Sequence, residues 1–319
     1  MPSVLKWMSR RHQKEMNPDI FSEDDHLSMQ EPVLSIFDVP YVSQDNVSLK
    51  MDIYRPPFDS ESEAEHMTEK KSGSDSNTSP ELLPVIILVH GGGMMVGHPR
   101  MERKVCEILA GKGFLVFAPG YRLITDADGF GELCDLTAGL DYAGRMLKKL
   151  GGDPDRVYLI GESAGAWLSL YCTAMMRSER IRSLMSFTPA DIHIRGIVFV
   201  SGMFYTLQKD LIGLVYPQDL YGDKCKDPDF LAYMNPEHEE VIKSLPPVIL
   251  TSSRADFLKK YTLDYARALK KAGHKYKLIY FPEKNRDLTH AFVTLEPDLP
   301  ESGIVLDKIC RMMQAHRAH

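Results

Sequence analysis

The five residues Gly161-Glu162-Ser163-Ala164-Gly165 constrain this chain more than any other stretch. An apolar run, Val157-Tyr158-Leu159-Ile160, precedes them, and a helix-like run, Ala166-Trp167-Leu168-Ser169-Leu170, follows. Strand, G-x-S-x-G and helix in that order are the context of a nucleophile elbow, a sharp reversal that holds a serine in a strained conformation. A side chain at either flanking position would crowd the backbone as it turns, which is why both are glycine. Such a serine is of use only if the rest of the chain supplies partners for it.

The chain around the elbow alternates between buried strands and helices. Val33 to Val39 reads as a strand. Val47, Leu49, Met51 and Ile53 then alternate with polar neighbours at a period of two, so the two runs form an antiparallel hairpin. Pro84 to Val89, Phe114 to Ala118, Gly196 to Val200, Val248 to Ser252 and Lys275 to Phe281 are short apolar runs of the kind buried on both sheet faces. Between them, Arg100 to Ala110, Glu132 to Leu150, Leu258 to Lys271 and Ile304 to Gln314 carry helical spacing. This alternation predicts an α/β fold, a mostly parallel sheet covered by helices. With 319 residues, 44% of them hydrophobic and 26% charged, the chain has material for one large domain and a sizeable core.

Three segments depart from the alternation. Val4, Leu5, Trp7 and Met8 lie near helical spacing within the basic stretch Lys6 to Lys14. They predict a short amphipathic helix that packs over the protein's own cleft or touches a membrane surface. Asp59 to Pro80 is Ser-, Glu-, Asp- and Lys-rich with almost nothing apolar, and reads as a flexible surface insertion. Ser201 to Leu245 is longer than an ordinary connection and rich in aromatic residues. Residues 1–32 and about 202–245 are accordingly the expected cap over a cleft at the sheet's C-terminal edge.

Composition excludes some functions. The net charge of −6 comes without a basic arm or stripe, so nucleic acid is not expected as a partner. Cys106, Cys134, Cys172, Cys225 and Cys310 show no C-x-x-C spacing and read as buried or half-buried thiols of a reducing compartment. The first thirty residues lack the apolar core of a signal peptide, and the apolar runs are strand-sized, so stable membrane insertion is not expected. A cytoplasmic protein is the expectation, and the sequence is compatible with a homodimer.

A serine hydroxyl is a weak nucleophile at neutral pH; it needs a base, and the base an orienting acid. Asp256 follows the strand Val248 to Ser252, and His290 follows the strand Lys275 to Phe281. Both fall at C-terminal strand ends, as Ser163 does, in the order serine, acid, histidine. Asp264 and Asp287 are weaker choices for the acid, and His193, His238 and His274 for the base. An oxyanion formed at such a serine needs donors, and two sources are in place. One is the amide of Ala164, which opens the helix after the elbow; the other is His90-Gly91-Gly92-Gly93, whose glycines let backbone amides approach. Met94 and Met95, with Trp167 and Phe204, are candidate pocket-lining residues. No cofactor and no metal are called for.

These motifs, with Tyr121-Arg122-Leu123, Gly152-Asp153-Pro154-Asp155-Arg156-Val157, Asp256-Phe257-Leu258 and Thr289-His290-Ala291-Phe292, resemble the hormone-sensitive-lipase-like branch of the α/β-hydrolases, the bacterial family-IV esterases. The likeness runs from about Val33 to the C-terminus, apart from Asp59 to Pro80. It implies an eight-stranded, mostly parallel sheet with a small cap. It also implies Ser163 as nucleophile, His290 as base, Asp256 as acid, and Gly92, Gly93 and Ala164 as oxyanion donors. His90 is then the residue that holds the glycine loop. Ile124-Thr125-Asp126, Glu162, Ala166 and Phe257 depart from the family pattern. The expected reaction is hydrolysis of an ester with a short acyl group, since no long exposed apolar face reads from the sequence. Cleavage of an activated amide, acyl transfer and a non-catalytic receptor are the alternatives.

Overall fold

The computed structural model describes residues 4–15, 32–44, 47–58, 81–185 and 187–315. The expected insertion Asp59 to Pro80 lies outside them, as does much of the N-terminal segment before residue 32. Eight strands form one sheet: β1 (Leu34–Gln44), β2 (Val47–Arg55), β3 (Leu83–Val89), β4 (Leu115–Pro119), β5 (Gly152–Glu162), β6 (Ile194–Val200), β7 (Val248–Ser253) and β8 (Tyr276–Phe281). Their order across the sheet is β1-β2-β4-β3-β5-β6-β7-β8. β2 runs antiparallel to both β1 and β4, and every pair from β4 to β8 is parallel. The first strand is longer than the sequence predicts and carries two register shifts, around Asp38 and Pro40. A proline without an N–H is tolerated there because β1 is an edge strand.

β3 and β5 are buried along their apolar stretches, and their side chains alternate between two cores. Val85, Ile87, Val89, Val157 and Leu159 face one core, covered by helices Gly129–Met146 and Ala164–Arg177. Ile86, Leu88, Tyr158 and Ile160 face the other, covered by Arg103–Gly111 and Pro300–Gln314. Helix Ala164–Arg177 is buried nearly all round, so its sequence is apolar on every side rather than striped. Among the described residues no helix is long and apolar enough to cross a membrane. Cys106, Cys172 and Cys310 are buried as expected, whereas Cys134 is exposed on the outer side of its helix.

Two segments lie over the C-terminal edge of the sheet. Helix Val4–Glu15 is held by Ser9, whose hydroxyl donates to the Met95 carbonyl, and by Gln13, whose amide reaches the same oxygen at 3.1 Å. After β6 come four short helices, Leu211–Val215, Pro217–Tyr221, Pro228–Tyr233 and Glu239–Lys243. Tyr216, Tyr221, Phe230 and Tyr233 turn inward from them and join the first core.

Candidate active site

The reversal after β5 is built on close backbone approach. A Cβ at Gly165 would stand 2.1 Å from the Val89 carbonyl oxygen, and one at Gly161 would stand 2.6 Å from that of Gly165. Only glycine lets the elbow nest against β3 at Gly165 and lets the following helix fold back onto β5 at Gly161. Ser163 itself carries φ 50° and ψ −110°, a conformation that costs on the order of 1–3 kcal/mol for a residue with a Cβ. Two backbone hydrogen bonds hold it there, Ser163 N–H to the Val200 carbonyl and Met203 N–H to the Ser163 carbonyl, both 2.9 Å.

The loops after β7 and β8 bring Asp256 and His290 to the same edge. His290 Nε2 lies 2.8 Å from Ser163 Oγ, and His290 Nδ1 lies 2.8 Å from Asp256 Oδ1. Asp256 is fully buried and also accepts from the Ser252 hydroxyl at 2.6 Å and the Leu258 amide at 2.8 Å. Burial alone would push its pKa up, but the hydrogen bonds from His290, Ser252 and Leu258 outweigh it and hold the carboxyl below its ordinary value. An ionised Asp256 only accepts, so Nδ1 carries the imidazole proton and Nε2 faces Ser163 as an acceptor. The histidine loop is fixed from behind by the Ala291 amide, which donates to Ser201 Oγ at 3.0 Å.

Across the cleft, Gly92 and Gly93 adopt φ 90° and 63°. A Cβ on Gly92 would fall 2.0 Å from the Val96 carbonyl oxygen, so the tight loop Gly92–Val96 exists only with glycine there. His90 is buried and stacks on Tyr121 with ring centroids 4.2 Å apart. Burial drives its pKa down to about 4 against the opposing pull of the Gly91 carbonyl, so it stays neutral and shapes the loop. The Tyr121 hydroxyl donates to the His90 carbonyl at 2.9 Å, and Arg122 grips Asp135 at 2.8 and 2.7 Å. The Tyr-Arg-Leu motif is thus a brace for the glycine loop. Ala164 opens helix Ala164–Arg177, whose first-turn amides have no partner within the helix.

Ser163, His290, Gly92 and Gly93 line one cavity of about 480 Å³ with mostly apolar walls. Its volume is ordinary for a small-molecule site. Leu5 and Met8 of the N-terminal helix, Met95, and Ile212, Val215 and Tyr216 of the segment after β6 complete it. Of the four pocket candidates read from the sequence, only Met95 is there. Met94 is turned into the core by φ 60°, while its carbonyl accepts the Ile124 amide at 2.8 Å. Trp167 packs on Tyr171 and Tyr221, and Phe204 packs on Tyr265 and Phe199, all within the first core. Spacing alone did not reveal that these three large side chains point away from the cleft.

Two acids that the sequence reading did not assign also lie here. Glu162 is buried under the glycine loop, where it accepts the Gly91 amide at 2.9 Å, with one oxygen 3.9 Å from His290 Nε2. Glu102 is buried beside it, and burial together with the Glu162 charge raises the Glu102 pKa well above the ordinary carboxyl range. Burial raises Glu162 as well, countered by Glu102, His290 and the Gly91 amide. No donor reaches either Glu102 oxygen, so burial favours the neutral form of that carboxyl. The one signal in the sequence was Glu162 standing inside the elbow motif.

A family model described as the alpha/beta hydrolase fold matches residues 86–294. The chain is 25% identical over 242 residues to a versiconal hemiacetal acetate esterase of Dothistroma septosporum, covering 71% of each chain. It is 24% identical over 231 residues to an isoprenylcysteine alpha-carbonyl methylesterase of Arabidopsis thaliana, covering 68% of this chain; it spans only about half (52%) of that relative's length. Among solved structures, esterase B of Lactobacillus rhamnosis, inhibited by a C6-C4 compound, superposes with a TM-score of 0.78 at 20% identity, over 98% of this chain and 96% of that one. At that identity the likeness speaks for the fold.

Proposed function

From a chain that belongs to the α/β-hydrolase-fold family and is an esterase of that type, we propose hydrolysis of a carboxylic ester through an acyl-enzyme on Ser163. The observation that carries the reading is the unbroken relay from Asp256 through His290 to Ser163, two contacts of 2.8 Å each. Ser163 Oγ attacks the ester carbonyl while Nε2 takes its proton, and the ionised Asp256 stabilises the imidazolium. The amides of Gly92, Gly93 and Ala164 face the developing oxyanion, each donor contributing about 3 kcal/mol in sites of this kind. The imidazolium then protonates the leaving alcohol, and a water molecule, activated by the same base, releases the acid.

The acyl group in this proposal is short. Support comes from the relative named for an acetate ester and from the C6-C4 compound on the structural neighbour. The apolar cavity is then left for the remainder of the ester. Ser163→Ala tests the mechanism: turnover of p-nitrophenyl acetate is expected to fall by at least about 10⁴-fold, with labelling by a fluorophosphonate probe lost. Activity near wild type in that variant rules the assignment out.

A further inference from the structure

Gly92 and Gly93 sit at positive φ, where glycine is at ease and is also least constrained. Their orientation therefore depends on what the carbonyls of the loop are bonded to. The Tyr121 hydroxyl serves His90 at 2.9 Å and Gly91 at 3.2 Å. The Met95 and Val96 amides serve Gly92 at 3.1 Å, the Ile124 amide serves Met94 at 2.8 Å, and the Ser9 hydroxyl serves Met95. The Gly93 carbonyl alone among these is served from the segment after β6, by the Tyr216 hydroxyl at 2.9 Å. By contrast, among the described residues the N–H groups of Gly92 and Gly93 have no acceptor within the protein. A loop with its carbonyls paired and two amides free presents donors to an incoming oxygen.

Tyr216 is placed to hold that bond. A Cβ at Gly93 would stand 2.8 Å from the Tyr216 hydroxyl oxygen, so the hydroxyl takes the space a side chain would need. The Tyr216 backbone is fixed on both sides. Its N–H donates to the Ile212 carbonyl at 3.0 Å, closing helix Leu211–Val215, and its carbonyl accepts the Leu220 amide at 3.0 Å, at the start of Pro217–Tyr221. The side chain is buried and lines the catalytic cavity. Burial, with the Glu132 charge adding to it, pushes the phenol pKa up to about 12, so the hydroxyl keeps its proton and stays a donor near neutral pH.

We propose that Tyr216 is a positioning residue of the oxyanion site, holding the Gly93 backbone in the turn that directs its N–H at the substrate oxygen. It acts through Gly93 and touches no reacting atom. The segment after β6 then completes the electrostatics of the site as well as walling its cavity. This deepens the ester-hydrolase reading and rests on it, since Gly93 is an oxyanion donor only in that reaction.

Tyr216→Phe tests the role, because the ring still fills its place and only the hydroxyl is removed. The oxyanion forms in acylation and in deacylation alike. For p-nitrophenyl acetate, kcat and kcat/KM are therefore expected to fall together by about tenfold, with KM within about twofold of wild type. Loss of an oxyanion donor itself costs more, about 10²–10³-fold. A trifluoromethyl ketone gives a second readout: Ser163 Oγ adds to its carbonyl carbon, His290 takes the proton and the ketone oxygen becomes the oxyanion. Its affinity is expected to weaken by the same factor as kcat/KM. Rates are taken per site titrated to completion with a fluorophosphonate probe, so that loss of folded protein is not counted as loss of catalysis. Unchanged kcat and ketone affinity in Tyr216→Phe, or a rise in KM with kcat kept, overturns the positioning role while labelling of the wild type leaves the serine assignment standing. Wild-type protein that the probe does not label at Ser163 overturns the ester-hydrolase reading itself.

Discussion

Glu102 and Glu162 are buried beneath the glycine loop, and burial holds Glu102 in its neutral form. The raised pKa of Glu102 has a signed consequence for stability. Below the ordinary carboxyl range Glu102 is neutral in folded and unfolded chains alike. As pH rises through that range the unfolded chain releases its proton while the folded chain keeps it, so stability falls until the folded pKa is passed. Glu102→Gln stays neutral and removes that titration. Its urea midpoint relative to wild type is therefore expected to rise from pH 5 to pH 8; parallel midpoints across that range would mean Glu102 holds no such proton. That Ser163, Asp256 and His290 come within hydrogen-bond reach of one another was legible because each sits in its own local motif at a strand end. Glu102 was not, because its meaning comes from a neighbour some sixty residues away across the sheet edge.

The strands and long helices were legible from their periodicity, since burial on both faces leaves continuous apolar runs and burial on one leaves a stripe. The short helices after β6 were legible only as an aromatic-rich segment. A five-residue helix has too few turns to show which of its side chains face inward, so Leu211 and Tyr216 look alike in sequence although one is exposed and the other buried. The same limit explains the misplaced Trp167. It lies on a helix buried all round, where no stripe separates the floor of the cavity from the core. Trp167→Ala is expected to cost about 3–5 kcal/mol of unfolding free energy, read by urea denaturation, while KM for a short ester stays within about twofold. A large rise in KM at unchanged stability would return Trp167 to the pocket.

For the whole molecule, the two segments over the C-terminal edge of the sheet line the cavity together with that edge and are proposed to decide which ester fits. With the acyl group held short and the apolar cavity given to the remainder, kcat/KM over p-nitrophenyl esters is expected to peak among acetate, butyrate and hexanoate and to fall by about tenfold or more at palmitate. A steady climb to palmitate would place the long arm on the acyl side instead. The distribution of the site along the chain has a further consequence, for synthesis. The glycine loop, the elbow, and the proposed acid and base follow β3, β5, β7 and β8, so they leave the ribosome in that order, and parallel pairing delays closure of the late strands. On the proposed mechanism a nascent chain carries its serine long before it carries its imidazole, and the hydroxyl stays inert until the last strand is laid down. The enzyme is armed by completing its sheet.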